Sequence, residues 1–312
     1  MSTMKSVRIH SFGGPEVMRL EEIQVPDPGD DELLVQVRAA SVNPVDYKTR
    51  DGQYPRVTRE QLPVTLGRDI AGVVVDSGGL RGSFMRGDAI YALLRPEQGA
   101  FAEYVLVNRA DAAPKPERLS FIEAASVPLA ALTAWQGLFD HGGLKPGQSV
   151  LIHGGAGGVG HFAIQFAKYR RAEVITTVSG DDIEFARELG ADEAIDYKNL
   201  RFEDIVRDVD MVFDLVGGET QERSWQVLKR NGILVSTLGA PPPQRAEQNK
   251  VRAVGYLAQP NAGQLAEIGR LIDQGLVHPR VDTTYTLEQA PEAEERQAQG
   301  HVHSKLVLEI AA

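Results

Sequence analysis

The chain has 312 residues, 42% hydrophobic and 24% charged, with 31 glycines and 17 prolines, which allows a real core and two domains. Its net charge of −10 gives no bulk attraction to nucleic acid or to an anionic membrane, so neither is expected as a partner. It has no cysteine, which excludes disulfides, thiolate nucleophiles, cysteine-based zinc sites and cysteine-held iron–sulfur clusters.

The opening segment MSTMKSVRIHSFGG lacks the apolar run of a signal peptide. No stretch approaches the roughly 18 apolar residues of a membrane helix, so a soluble, cytoplasmic protein is expected. Through about residue 110 the pattern is of short strands and turns. Residues 6–10, 33–39, 70–75 and 101–107 cluster or alternate apolar side chains between Gly, Pro and Asp, and residues 26–32 read as a loop. This half is expected to be a β-rich, partly open barrel without a long amphipathic helix.

Near Ser120 the texture changes to a helical stretch broken at Pro128. Strands at 149–153, 173–178, 210–216 and 232–238 then alternate with helices at 160–169, 181–189 and 219–228, the signature of a doubly wound parallel sheet. A further strand-like run covers 251–257, and a helix is predicted over 262–274. The tail returns to β texture, with a short helix near 288–297 and a last strand at 305–310. The organisation is therefore α/β. A nucleotide-binding domain, residues 123–261, interrupts a β-rich domain of residues 1–122 and 262–312.

The chemistry is carried by Gly155-Ala156-Gly157-Gly158-Val159-Gly160, a G-x-G-x-x-G match that follows an apolar strand and opens a helix. Gly155 would permit the tight turn, Gly157 the approach of a pyrophosphate, and Gly160 close packing of helix on sheet. The helix N-terminus adds free N–H groups and a partial positive charge. An NAD enzyme places an acid about 20 residues further on, at the end of the second strand. That position falls at or near Thr177, with Ser179 following, so NADP is favoured over NAD. Asp181 and Asp182 stand close by, and Arg170 and Arg171 precede the strand.

With these features the sequence resembles the quinone oxidoreductase (zeta-crystallin-like) branch of the medium-chain dehydrogenase/reductases. The glycine-loop signature runs from Gly147-Gln148 through Leu151 and the six-residue loop to Gln165 and Lys168. HSFGGPEV, SVNPVDYK, GRDIAGVV, GAFAEYVLV and LGADEAIDY match along the rest of the chain. The resemblance implies a GroES-like catalytic domain, a Rossmann domain, an active site in the cleft between them, NADPH, a homodimer, and reduction of quinones or α,β-unsaturated carbonyls. Zinc-using relatives carry an early Cys and a Gly-His-Glu, and the matching places here are Asn43 and Gly67-Arg68-Asp69. A guanidinium cannot ligate zinc, so metal-assisted alcohol oxidation is not expected.

By the same resemblance Asn43 and Tyr47 face the nicotinamide and substrate, and Thr133 lies near the nicotinamide. Ser179 and Tyr197 neighbour the adenosine phosphate, and Val216, Gly217, Leu238 and Gly239 follow the strands the cofactor crosses. The hydride acceptor becomes an enolate or hydroquinone anion, for which Asn43 and Tyr47 are the candidate donors, with Tyr54 a weaker one. His153 reads as a packed structural residue. His301 and His303 lack the carboxylate or cysteine support of a metal site. Lys305 reads as an anchor of the last strand or a neighbour of the cofactor rim. Two other readings stay open: an enoyl-thioester or alkenal reductase on the same scaffold, and an NADPH-binding sensor or structural protein without turnover.

Overall fold

A computed structural model describes residues 2–79, 84–300 and 302–310. His301 lies outside them. The chain divides into two compact units. The first comprises Met1–Leu129, Pro260–Gly275 and Pro279–Ala312. The second comprises Ala130–Gln259 and Leu276–His278.

The first unit is built on two sheets. A three-stranded sheet joins Met18–Gln24, Thr3–Ile9 and Val64–Thr65. A seven-stranded sheet is centred on the long strand Glu32–Val42, which pairs antiparallel with Asp69–Ser77, Tyr104–Asn108 and the terminal strand Lys305–Glu309. Their inward residues form one apolar cluster that includes Val35, Val37, Ile70, Phe101 and Leu306. The helix Phe121–Ala125 packs on the strands Glu32–Val42 and Asp69–Ser77, within this unit. The helix Ala262–Asp273 also belongs here: the Leu265 carbonyl accepts the Tyr91 hydroxyl at 2.6 Å. Between its two C-terminal segments, His278 returns to the second unit, where its N–H and carbonyl both bond the Gln165 amide.

The helix Pro44–Arg50 corrects the picture of a first half made only of strands and turns. Pro44 opens it, where a missing N–H costs nothing, and the Asp46 carboxylate accepts the Asn43 N–H at 2.7 Å.

The second unit is a six-stranded parallel sheet in the order Glu193–Asp196, Glu173–Val178, Ser149–His153, Val209–Asp214, Leu228–Ser236, Arg252–Gly255. The first strand in sequence is central and the order reverses beside it, which creates a switch point at the carboxyl edge between Ser149–His153 and Val209–Asp214. Val150, Leu151 and Ile152 are wholly buried, as a strand covered on both faces requires. The helix expected over 219–228 is Gly218–Ser224, and the chain is already in a strand at Leu228. That strand is partly exposed at its start, with Asn231 in the left-handed region at φ +65°, so its first residues carry no apolar period.

Candidate active site

At the switch point the strand Ser149–His153 ends in Gly154, whose φ of +77° makes the turn. This turning role was expected of Gly155, which instead serves a close contact: a Cβ there would lie 2.1 Å from Thr176 Oγ1. A Cβ on Gly160 would lie 2.1 Å from the Gly154 carbonyl oxygen, so the helix Gly160–Tyr169 can start only with glycine against this turn. Gly157 is different. A Cβ there would meet nothing nearer than the Gly154 carbonyl oxygen at 3.4 Å. Glycine at 157 therefore leaves bare backbone facing open space, the cradle a pyrophosphate needs, with Ala156, Gly158 and Val159 completing the loop.

Thr177 props this loop. Its carbonyl accepts the N–H groups of Gly154 and Gly155, both at 3.1 Å, and its hydroxyl lies 3.0 Å from His153 Nδ1. His153 also reaches Ser224 Oγ at 2.9 Å, and burial pushes its pKa down to about 4, so it is a neutral structural residue. Beyond the strand end, the Ser179 hydroxyl donates to Asp182 Oδ2 at 2.5 Å. The exposed Tyr197 is pinned by its N–H to the Val178 carbonyl.

On the other side of the switch point, Val216, Gly217, Leu238 and Gly239 are organised by residues that the sequence pattern did not single out. Asp214, wholly buried, accepts the N–H groups of Val216 and Gly217 at 3.1 and 2.8 Å through Oδ1. Its Oδ2 accepts Gln221 Nε2 and Ser236 Oγ, and Ser236 Oγ in turn accepts the Leu238 N–H. A Cβ on Gly217, at φ +77°, would lie 2.6 Å from Leu238 Cδ1, so the two loops touch there. Val216 and Leu238 leave about half their surface exposed at this edge. Thr133 joins it through its carbonyl, which accepts the hydroxyl of Tyr256, the residue after the strand Arg252–Gly255. A cavity of about 370 Å³ in the same unit lies at the amino edge, lined by Lys145, Asp210, Lys229 and Arg252, on the wrong side of the sheet for a dinucleotide.

In the first unit the strand register gathers a polar cluster around Asn43. Ser41 stands opposite Asp69, and Leu306 opposite Val42, which brings Lys305 beside Asn43. The Asn43 side-chain amide donates to Asp69 Oδ2 at 2.9 Å and to the Ser41 carbonyl at 3.3 Å, and its oxygen accepts Lys305 Nζ. Asp69 Oδ2 also accepts Ser41 Oγ at 2.6 Å and lies 3.8 Å from Lys305 Nζ, while Oδ1 accepts the Leu129 N–H at 2.7 Å. Burial lowers the Lys305 pKa, with Asp69 and Asp46 opposing. Burial raises the Asp46 pKa to about 7, against the Asn43 N–H that favours its carboxylate. Lys305 thus belongs to the Asn43 cluster. Its only sequence signal was a lysine opening an apolar strand.

Tyr47 is half-buried on the helix Pro44–Arg50, and its hydroxyl makes no hydrogen bond among the described residues. Burial raises its pKa, and Asp51 adds to the shift. Tyr54 meets Arg68 only at 3.5 Å, and Arg68 Nε donates to the Leu94 carbonyl at 2.8 Å.

Two family descriptions match the chain: the alcohol dehydrogenase GroES-like domain at residues 29–117 and the zinc-binding dehydrogenase at residues 189–308. The residues present do not fit a zinc ion. There is no cysteine, Arg68 spends its guanidinium on a carbonyl, and among the described residues no three His, Asp or Glu converge. The chain is 38% identical over 291 residues to the 2-methylene-furan-3-one reductase of Solanum lycopersicum, covering 90% of this chain and 72% of that protein. It is 37% identical to the NADPH-dependent alkenal/one oxidoreductase, chloroplastic, of Arabidopsis thaliana, covering 89% of this chain and 72% of that protein. The solved quinone oxidoreductase from Coxiella burnetii superposes with a TM-score of 0.93 at 37% identity over 99% of both chains. Glycine loop, sheet order and relatives agree, and the chain belongs to the quinone oxidoreductase branch of the medium-chain dehydrogenase/reductase superfamily.

Proposed function

We propose that the protein is a zinc-free, NADPH-dependent reductase that delivers hydride to a quinone or another α,β-unsaturated carbonyl compound. The observation that carries this reading is the bare Gly157 backbone at the switch point, in a chain without cysteine whose described residues gather no zinc-like donor set. Relatives named alkenal/one and 2-methylene-furan-3-one reductases support the acceptor class.

The loop from Gly155 to Gly160, with Ala156, Gly158 and Val159, holds the pyrophosphate. Ser179 and Tyr197 flank the adenosine end. Val216, Gly217, Leu238, Gly239 and Thr133 line the edge toward the nicotinamide. Bound NADPH supplies a hydride. The acceptor then carries an anionic oxygen that needs donors and one proton. Tyr47, with its hydroxyl uncommitted, donates to that oxygen, and Asn43 fixes the strand-to-helix turn that presents Tyr47. Hydroquinone is acidic enough that its anion persists until solvent protonates it, so the chain needs no acid/base pair for a quinone.

The GroES-like part, 1–122 and 262–312, orients the acceptor, and 123–261 binds the cofactor. A cytoplasmic homodimer completes the proposal. Among the described residues no helix is long and apolar enough to cross a membrane. The test is a cofactor-oxidation assay with purified protein, NADPH, and an ortho-quinone or an alkenal. Quinone-dependent loss of nicotinamide absorbance is expected. Oxidation with the alkenal alone moves the protein to the double-bond reductases, a reading that the uncommitted Tyr47 proton donor favours. NADPH binding without oxidation of either acceptor refutes the enzyme and leaves a sensor.

A further inference from the structure

In a doubly wound sheet the adenosine ribose lies past the carboxyl end of the second strand, where an acid holds a free 2′-hydroxyl and a cation accommodates a 2′-phosphate. Here that strand is Glu173–Val178, and Ser179-Gly180-Asp181-Asp182 follows it. Arg170 and Arg171 precede the strand, which at about 3.3 Å per residue puts them roughly 20 Å from its carboxyl end. The Arg170 guanidinium is in any case stacked over the Phe139 ring, 4.9 Å from its centroid.

Carboxylates outnumber cations around Ser179, where Lys198, exposed and without an ion pair among the described residues, is the cation next to Asp196. Asp182 is buried, and its Oδ2 accepts a hydrogen bond from the Ser179 hydroxyl at 2.5 Å. Asp196, buried at the end of the neighbouring strand Glu193–Asp196, lies so close to Gly180 that a Cβ there would be 2.9 Å from its Oδ2. Its oxygens are held in place by the Lys198 N–H and the Asn199 amide. Asp181 is exposed, and among the described residues neither Asp181 nor Asp196 forms an ion pair. Having donated to Asp182, Ser179 Oγ is left as an acceptor. It suits a ribose hydroxyl, which donates, and not a phosphate oxygen, which accepts. The carboxylates of Asp181 and Asp196 repel a dianionic 2′-phosphate at this edge more than the single Lys198 ammonium attracts it.

We infer that this chain binds NADH about as tightly as NADPH, with Asp181, Asp182 and the orientation of the Ser179 hydroxyl as the selectivity determinants. The inference rests on the reductase reading and adds the cofactor selectivity of that site.

The test is direct binding to the full chain, by calorimetric titration with NADPH and with NADH. Dissociation constants within about tenfold of one another are expected. NADPH binding tighter by about a hundredfold or more overturns the inference and leaves the reductase reading standing. If neither cofactor binds, the reductase reading falls and the inference with it. Asp182→Ala, which frees the Ser179 hydroxyl, and the exposed Asp181→Lys are each expected to tighten NADPH by about tenfold and leave NADH within about twofold. A ratio unchanged in Asp181→Lys overturns the inference even if Asp182→Ala fails to fold.

Discussion

The buried His153 makes the stability of the second unit depend on pH in a calculable way. Its two ring nitrogens lie 3.0 Å from Thr177 Oγ1 and 2.9 Å from Ser224 Oγ, and its ring meets Phe202 edge-on. Burial is the main cause of the fall in its pKa from 6.5 to about 4, with the Arg223 charge adding to it and Asp214 opposing. The unfolded chain therefore takes up a proton before the folded one does. The stability from neutral His153 is complete above pH 6.5 and is lost as pH falls from 6.5 toward 4. At about 1.4 kcal/mol per pH unit, the displacement corresponds to roughly 3 kcal/mol over that window. His153→Gln keeps a neutral hydrogen-bonding side chain and removes the titration. Urea unfolding at pH 7 and at pH 4 gives the stability change of each protein, and subtracting the variant's change cancels every other group. Wild type is expected to lose about 3 kcal/mol more than the variant. Equal losses, within about 0.5 kcal/mol, would refute the assignment of His153 as a neutral buried residue.

The glycine loop predicts a split between folding and binding. Gly157→Ala is expected to keep the thermal midpoint while weakening NADPH binding by about tenfold or more, whereas Gly160→Ala, with 2.1 Å to a backbone oxygen, loses about 1–3 kcal/mol of stability as well. Calorimetry and thermal melts separate the two. Lys305→Met removes the cation beside the wholly buried Asp69, and breaking a buried pair from one side costs about 3–5 kcal/mol, read in urea midpoints. Tyr47→Phe is expected to slow quinone reduction by about tenfold and enone reduction by about a hundredfold or more, because both anionic oxygens lose a donor and only the enolate also depends on the protein for its proton. Steady-state rates with both acceptors check this.

Most of the second unit was legible because local and global signals coincide there. The strands Ser149–His153 and Glu173–Val178 and the helix Gly160–Tyr169 fall on the residues the apolar pattern marked. The glycines sit between them at the spacing a strand-turn-helix imposes. What was not legible is what the register assembles. Asp214 falls inside the strand expected over 210–216 and carries no signal there, until the strand is seen to end at it and Val216, Gly217, Gln221 and Ser236 to donate to it. Asp69 and Lys305 are more than two hundred residues apart in sequence and meet only because the strands Asp69–Ser77 and Lys305–Glu309 flank the same central strand. The helix Pro44–Arg50 escaped because seven residues are too few to establish a period, and only its cap, Asp46 on the Asn43 N–H, announces it.

The same register bears on how the proposed zinc-free site would stabilise developing charge. A metal would supply that stabilisation directly, so here it must come from hydrogen-bond donors with hydrogens to spare. Asn43 has few: its oxygen is taken by Lys305, and its amide hydrogens are directed at Asp69 and Ser41. Asp69 has none, and its own two oxygens are fully used by Ser41, Asn43 and Leu129. The buried charges of this cluster are thus spent on one another, and their effect is to hold the end of the strand Glu32–Val42 and the start of the helix Pro44–Arg50 in a single geometry. One turn into that helix, Tyr47 carries a hydroxyl with no partner among the described residues. Its raised pKa keeps it protonated at neutral pH, as a donor must be. On the proposed reading, a rigid polar frame that satisfies itself and presents the Tyr47 hydroxyl as a donor suits a reaction in which the cofactor brings the hydride.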